Sequence, residues 1–174
     1  MKTLWAPWRM EYIKGEKQKG CVFCLAQQRE APLTLFTGEH TMVVMNKYPY
    51  TNGHLLVAPV RHVPALSGLS FQEMGFLLKT VEQSIAILKQ TMNPDGFNVG
   101  VNQGKVAGAG VEEHLHFHIV PRWFGDTNAM TVFADVRVIP EHIQATHASL
   151  KPLFDQLNPA AWQKEAAPLT GGKL

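Results

Sequence analysis

Residues 114–122 read His-Leu-His-Phe-His-Ile-Val-Pro-Arg, and few structures accommodate that alternation. In an extended strand alternate side chains share a face, so His114, His116 and His118 point one way while Leu115, Phe117 and Ile119 point into a core. The pattern predicts a strand over 114–120, closed by Pro121. A polar face left in water is the plainest reading of such a strand. If the face is buried, each unsatisfied imidazole costs on the order of 1–3 kcal/mol, and three cost roughly 3–9 against a total stability of about 5–15 kcal/mol. A buried face therefore needs a metal ion, hydrogen-bonding groups or an anionic ligand. Same-face neighbours stand about 7 Å apart along a strand, which makes convergence of all three on one ion awkward. A His-x-His pair with a third ligand from elsewhere is easier. Phosphate uses the face better. A neutral imidazole is a competent nucleophile near neutral pH and can form a phosphoramidate, while a neighbouring imidazole donates to a phosphoryl oxygen as charge shifts. Just upstream, Gly108-Ala109-Gly110 lets backbone N–H groups approach anionic oxygens, and Lys105 and Arg122 add positive charge.

The remaining chain supplies a scaffold for that strand. Thr41–Met45 is apolar and β-branched, and Leu55–Ala58 follows the turn signal Tyr50-Thr51-Asn52-Gly53, so the two read as a hairpin or as sequential antiparallel strands. Ser70 and Glu73 form a capping box, after which Met74, Leu77, Leu78, Val81, Ile85, Leu88 and Met92 recur at helical spacing until Asn93-Pro94-Asp95-Gly96 stops the helix. This helix is a packing element. Phe97–Asn102 alternates as a strand, and residues 140–156 suit a second helix with Pro140 near its first turn. Strands joined largely without helical crossovers favour an antiparallel α+β domain. We expect one domain over 1–159, beginning with an arm over 1–30 that carries Trp5, Pro7, Trp8 and Tyr12, and a poorly ordered tail over 160–174.

Net charge narrows the partners: +2 over 174 residues gives no footprint for nucleic acid or a membrane surface. No apolar run reaches the ~18 residues of a membrane span and no signal-peptide core is present, so the expected location is the cytoplasm. The two cysteines are too few for a secreted disulfide framework. Cys21-Val22-Phe23-Cys24 has the spacing of a metal knuckle; a redox pair and an unliganded pair are the alternatives.

His114–Arg122 also resembles the signature of the histidine-triad (HIT) superfamily, in which three histidines alternate with apolar residues before a Pro-Arg ending. The likeness extends upstream through Asn46, Gly53-His54-Leu55-Leu56-Val57-Ala58-Pro59 and Asn102-Gln103-Gly104, and covers residues 20–125. It implies an α+β fold with an antiparallel sheet of about five strands, one long and one shorter helix, and a sheet extended across a homodimer. It further implies that His116 forms a covalent nucleotidyl intermediate, that His118 contacts the phosphate and that His54 orients the catalytic imidazole. Asn46 would face the ribose, and Asn102 with Gly108, Ala109 and Gly110 would surround the phosphate. Residues 4–13 and the Trp123 that follows Arg122 resemble the branch containing bacterial diadenosine tetraphosphate phosphorylases. Zinc-bearing members resemble this chain at Cys21, Cys24, His62 and His114, which implies a closed structural zinc site and no organic cofactor.

The function expected from this resemblance is nucleotidyl transfer on a dinucleoside polyphosphate, with inorganic phosphate as acceptor in a phosphorolysis to ADP and ATP. The alternatives are a hydrolase or phosphoramidase acting on AMP- or GMP-linked substrates, and a purine-nucleotide binder without catalysis.

Overall fold

The computed structural model describes residues 20–28, 31–108, 110–127 and 138–165. The Trp-bearing stretch of the arm, Ala109 and the end of the tail lie outside them. The elements run α1 (Val22–Gln28), β1 (Thr34–Thr37), β2 (Thr41–Met45), β3 (Leu55–Pro59), α2 (Phe71–Met92), β4 (Gly96–Val101), β5 (Phe117–Arg122), α3 (Ile143–Phe154) and α4 (Pro159–Glu165). The strands form one five-stranded sheet in the order β1-β2-β3-β5-β4, with every neighbouring pair antiparallel. The expected antiparallel α+β fold is present. Helix α2 is nevertheless a crossover: it carries the chain from β3 to β4, and β5 then inserts between them.

One face of the sheet forms the main core. Leu35, Val43, Met45, Leu55, Val57 and Ile119 pack there against Leu77, Val81 and Leu88 of α2 and Leu150 and Phe154 of α3. The other face carries a smaller cluster in which Phe23 and Ala26 of α1 cover Met42 and Ala58. The sheet thus presents its α2 side to a thick apolar layer and its α1 side to a thin one, leaving room for a site on the latter.

The capping box forms as read. Ser70 Oγ accepts from Glu73 N at 3.2 Å, Glu73 accepts from Ser70 N at 2.7 Å, and Asn93 ends the helix in the left-handed conformation at φ 45°. The buried face is rotated from the expected one. Leu78 is exposed, whereas Phe76, Thr80, Ser84 and Ile87 are buried. Thr80 and Ser84 tolerate burial because each hydroxyl donates to a carbonyl one turn back, Phe76 O at 2.8 Å and Thr80 O at 2.7 Å.

Three boundaries differ from the sequence reading. The histidine strand starts at Phe117, not at His114. Its register with β3 ends at Val57↔Phe117. Continued further, it would bring Pro59 opposite Leu115, where proline has no N–H for the ladder. The chain turns instead to the following loop, Leu115 N donating to Val63 O at 2.7 Å. At the other end β5 runs through Pro121 to Arg122. The Pro121 carbonyl accepts from Thr51 Oγ1 at 2.8 Å beyond the start of β3, so the missing N–H on that side breaks no ladder bond. Finally, the tail expected to be disordered from residue 160 begins with α4, helical through Glu165.

Candidate functional site

Register places the polar residues of interest on the α1 side of the sheet. His118 stands opposite Leu56 of β3 and Gly100 of β4. His116, just ahead of β5, lies two residues before His118, and His54, just ahead of β3, lies two residues before Leu56. A Cβ built on Gly100 would meet no atom within 4 Å, so the space beside His118 is open. His54, His114 and His116 are 0%, 1% and 4% exposed, so these imidazoles are not a solvated face and need partners.

Those partners fix the tautomers. His54 Nδ1 receives the Tyr50 N–H at 3.1 Å and the Asn46 Nδ2 at 3.3 Å, so its proton is on Nε2. His54 Nε2 then donates to His118 Nδ1 at 2.9 Å, which leaves His118 with its proton on Nε2. His116 Nδ1 lies 2.8 Å from the His114 carbonyl, a pure acceptor, so Nδ1 donates and Nε2 keeps a lone pair. The rings of His116 and His118 are 5.0 Å apart. One ring thus offers a nucleophilic nitrogen and its neighbour an N–H donor.

The electrostatics keep all of them neutral. Burial, with the neighbouring His118 and His116 adding to it, pushes His54 down to about 3. Burial and then His116 push His118 down to about 4. His116 is lowered by burial, partly offset by its bond to the His114 carbonyl.

His114 does not join its two companions. Its Nε2 donates to Pro59 O at 2.8 Å, which turns the Nδ1 lone pair toward Cys21 Sγ at 3.3 Å and Cys24 Sγ at 3.8 Å. His62 Nδ1 lies 3.2 Å from Cys24 Sγ, and the four donor atoms all fall within 4.8 Å of one another. A tetrahedral ion with bonds of about 2.0–2.3 Å needs donors roughly 3.3–3.8 Å apart, so these residues fit a four-coordinate metal. The Pro59 carbonyl is the kind of outer partner that orients a ligating imidazole. Both cysteines are free thiols, and burial and the adjacent Cys21 push the Cys24 thiol up, a penalty that a cation between them would remove.

The glycine loop follows β4, whose last residue, Val101, pairs with Phe117 beside His116. Gly104 and Gly108 have φ of 82° and 84°, conformations that glycine adopts freely, and a Cβ on Gly108 would stand 3.9 Å from Asn102 Nδ2. Asn102 and Gly108 are therefore neighbours, and Gly110 meets nothing within 4 Å. Asn46, expected at a ribose, holds its amide on His54. The expectation that Arg122 adds free positive charge is corrected. Its guanidinium forms a two-pronged ion pair with Asp126 and donates through Nη1 to Asn98 Oδ1 at 2.8 Å. Sequence reading also passed over Tyr50, whose ring lies 4.6 Å from that of His54 and 6.0 Å from that of His118 in near-parallel orientation. A cleft of about 950 Å³ opens next to it, lined among others by Asn98, Val120, Trp123 and Phe124.

Comparison with known proteins agrees with this geometry. Residues 28–125 match the HIT domain. The chain is 35% identical over 161 residues to a Mycobacterium tuberculosis protein named AP-4-A phosphorylase, covering 86% of this chain and 83% of that one. It is 30% identical over 127 residues to the bis(5'-adenosyl)-triphosphatase of Dictyostelium discoideum, covering 70% and 85%. A crystal structure of a Zn-bound histidine triad family protein from Mycobacterium smegmatis superimposes with a TM-score of 0.64 at 27% identity, covering 80% and 96%. This chain belongs to the HIT family as one of its enzymes, on the AP-4-A phosphorylase-like branch.

Proposed function

We propose that the protein cleaves dinucleoside polyphosphates by nucleotidyl transfer through His116, with phosphorolysis of diadenosine tetraphosphate to ADP and ATP as its main reaction. The observation that carries this reading is the tautomer of His116. The His114 carbonyl holds the Nδ1 proton, so Nε2 is a neutral nucleophile beside the Nε2–H of His118. In the first step Nε2 forms a bond to an α-phosphorus, the bond to the bridging oxygen breaks, and ATP leaves with His118 donating toward the developing negative charge. AMP is then on His116. In the second step a phosphate oxygen attacks the same phosphorus, the P–N bond breaks, and ADP departs. Asn102 and the glycine loop surround the phosphate, Asn46 reaches the ribose side from the end of β2, and the cleft beyond Tyr50 takes the remainder of the dinucleotide.

The Cys21, Cys24, His62 and His114 cluster is assigned to structural zinc. When bound, it would draw segments from three parts of the chain together and leave no open position for substrate. Strand β4 ends the sheet among the described residues, with Asn98, Val99 and Gly100 exposed, and we assign it as the edge that continues the sheet into a second copy. Two cysteines, too few for a disulfide framework, suit a cytoplasmic location.

Product analysis with and without phosphate tests the reaction. ADP that forms only when phosphate is supplied supports phosphorolysis, and AMP formed regardless assigns the enzyme as a hydrolase. The His116→Asn variant is expected to bind the dinucleotide while losing at least ~1000-fold in turnover and forming no acid-labile nucleotide adduct by mass spectrometry. Full turnover in that variant overturns the reading.

A further inference from the structure

One of the two residues between the cysteines belongs to neither the triad nor the ligand cluster, yet it touches both. Phe23 is 2% exposed, while Val22 beside it is 46% exposed. Its ring centroid lies 4.9 Å from that of His114 and 5.0 Å from that of His116, tilted by 43° and 37°. Met42 and Ala58 of the sheet join it in one buried cluster. Cys21 and Cys24 hold the backbone on either side of it, their sulfurs against His114 and His62.

His116 needs such a wall. Among the described residues its ring makes one hydrogen bond, from Nδ1 to the His114 carbonyl. That bond alone favours one ring orientation over the flipped one by roughly five- to a hundredfold, which at the lower end leaves a flipped minority. A flipped imidazole would put carbon where the nucleophilic nitrogen belongs. Packing against both Phe23 and His118 is what can exclude the flip, because a tightly packed ring has no room to turn.

We propose that Phe23 is a positioning residue for His116, so that closing the cysteine knuckle and aiming the nucleophile are one packing event. This rests on the reading of His116 as the nucleophile. It gives the knuckle a consequence for chemistry without any contact between its ligands and the substrate.

The test uses the full chain with ¹⁵N-labelled histidine, comparing Phe23→Leu and Phe23→Tyr with the unmodified protein. Imidazole nitrogen correlations of His116 report its tautomer and ring exchange, and steady-state kinetics on diadenosine tetraphosphate report the rest. The unmodified protein is expected to show a single Nδ1–H state. Phe23→Leu is expected to show a second or exchange-broadened state, with kcat down about 10- to 100-fold, KM within about twofold and bound metal unchanged. Phe23→Tyr keeps the ring and restores both readings. A single tautomer with unchanged kcat in the leucine variant overturns the proposal. So does a rise in KM alone, which marks a ring that touches bound nucleoside instead. Should the leucine variant not fold, nuclear Overhauser contacts between the Phe23 ring and the His116 imidazole in the unmodified protein decide, and their absence overturns it. If the unmodified protein turns over no dinucleotide, the functional reading fails while the imidazole spectrum still decides this one.

Discussion

Three histidines that look equivalent in the sequence do three different things. His114 faces the cysteines, His116 carries a free Nε2, and His118 is the end of a relay that starts at the Tyr50 and Asn46 donors and runs through His54. The divergence follows from the strand beginning only at Phe117. Strict alternation would have put His114 beside its companions, whereas the turn ahead of β5 sends it to Pro59 and the knuckle. The pH dependence of stability follows from the same group. Unfolded imidazoles take up protons near pH 6.5, but His54 and His118 in the folded protein do so only at about 3 and about 4. Their folded-state advantage is therefore complete above about pH 6.5 and is lost as the pH falls through that window. Thermal midpoints should hold level from pH 7.5 to about 6.5 and then drop down to pH 4, and His54→Gln should flatten that slope. An equally steep slope in the variant contradicts the assignment. That the triad meets His54 and Asn46, and that Cys21, Cys24, His62 and His114 cluster, was legible through the family resemblance. Arg122's neutralisation by Asp126 was not, because a free and a paired arginine are spelled alike.

At the scale of elements, α2 was legible from both ends because its stop and start signals are local. Ser70→Ala removes a cap that also orients Glu73, and urea unfolding should show a loss of about 1 kcal/mol with unchanged nucleotide binding. Its buried face was less legible, since Thr80 and Ser84 hide inside only by bonding to their own helix. Strand β1 was missed altogether: four residues between Pro32 and Gly38, with a register shift at Thr34/Phe36, carry too little periodicity to stand out. Strand β4 holds a feature whose meaning appears only with its partner. Gly100 is one of two glycines in the described strands, with Gly96, until it stands opposite His118 with open space above it. Gly100→Val should therefore leave the thermal midpoint within about 2 °C while weakening nucleotide binding at least ~10-fold by calorimetry. Unaltered affinity would place the phosphate elsewhere.

Over the whole molecule, the knuckle joins the first described residues to the loop after β3 and to the approach to β5. Cys24→Ser should reduce bound zinc by elemental analysis and lower the thermal midpoint by roughly 5 °C, equivalent to about 2 kcal/mol. A variant that keeps both removes the cluster from the account of stability. Local spacing and side-chain type already set which residues alternate, where α2 begins and ends, and which side chains are chemically able to attack phosphorus or ligate a metal, because those are properties of one segment at a time. Long-range packing alone settles that β5 slips between β3 and β4, that α1 lays Phe23 against two histidines, and that a proline at position 59 ends the ladder in time to part His114 from His116. Each of those depends on groups far apart in the chain meeting at a few ångströms, and hydrogen bonding and packing at that range leave no periodic trace in either segment alone.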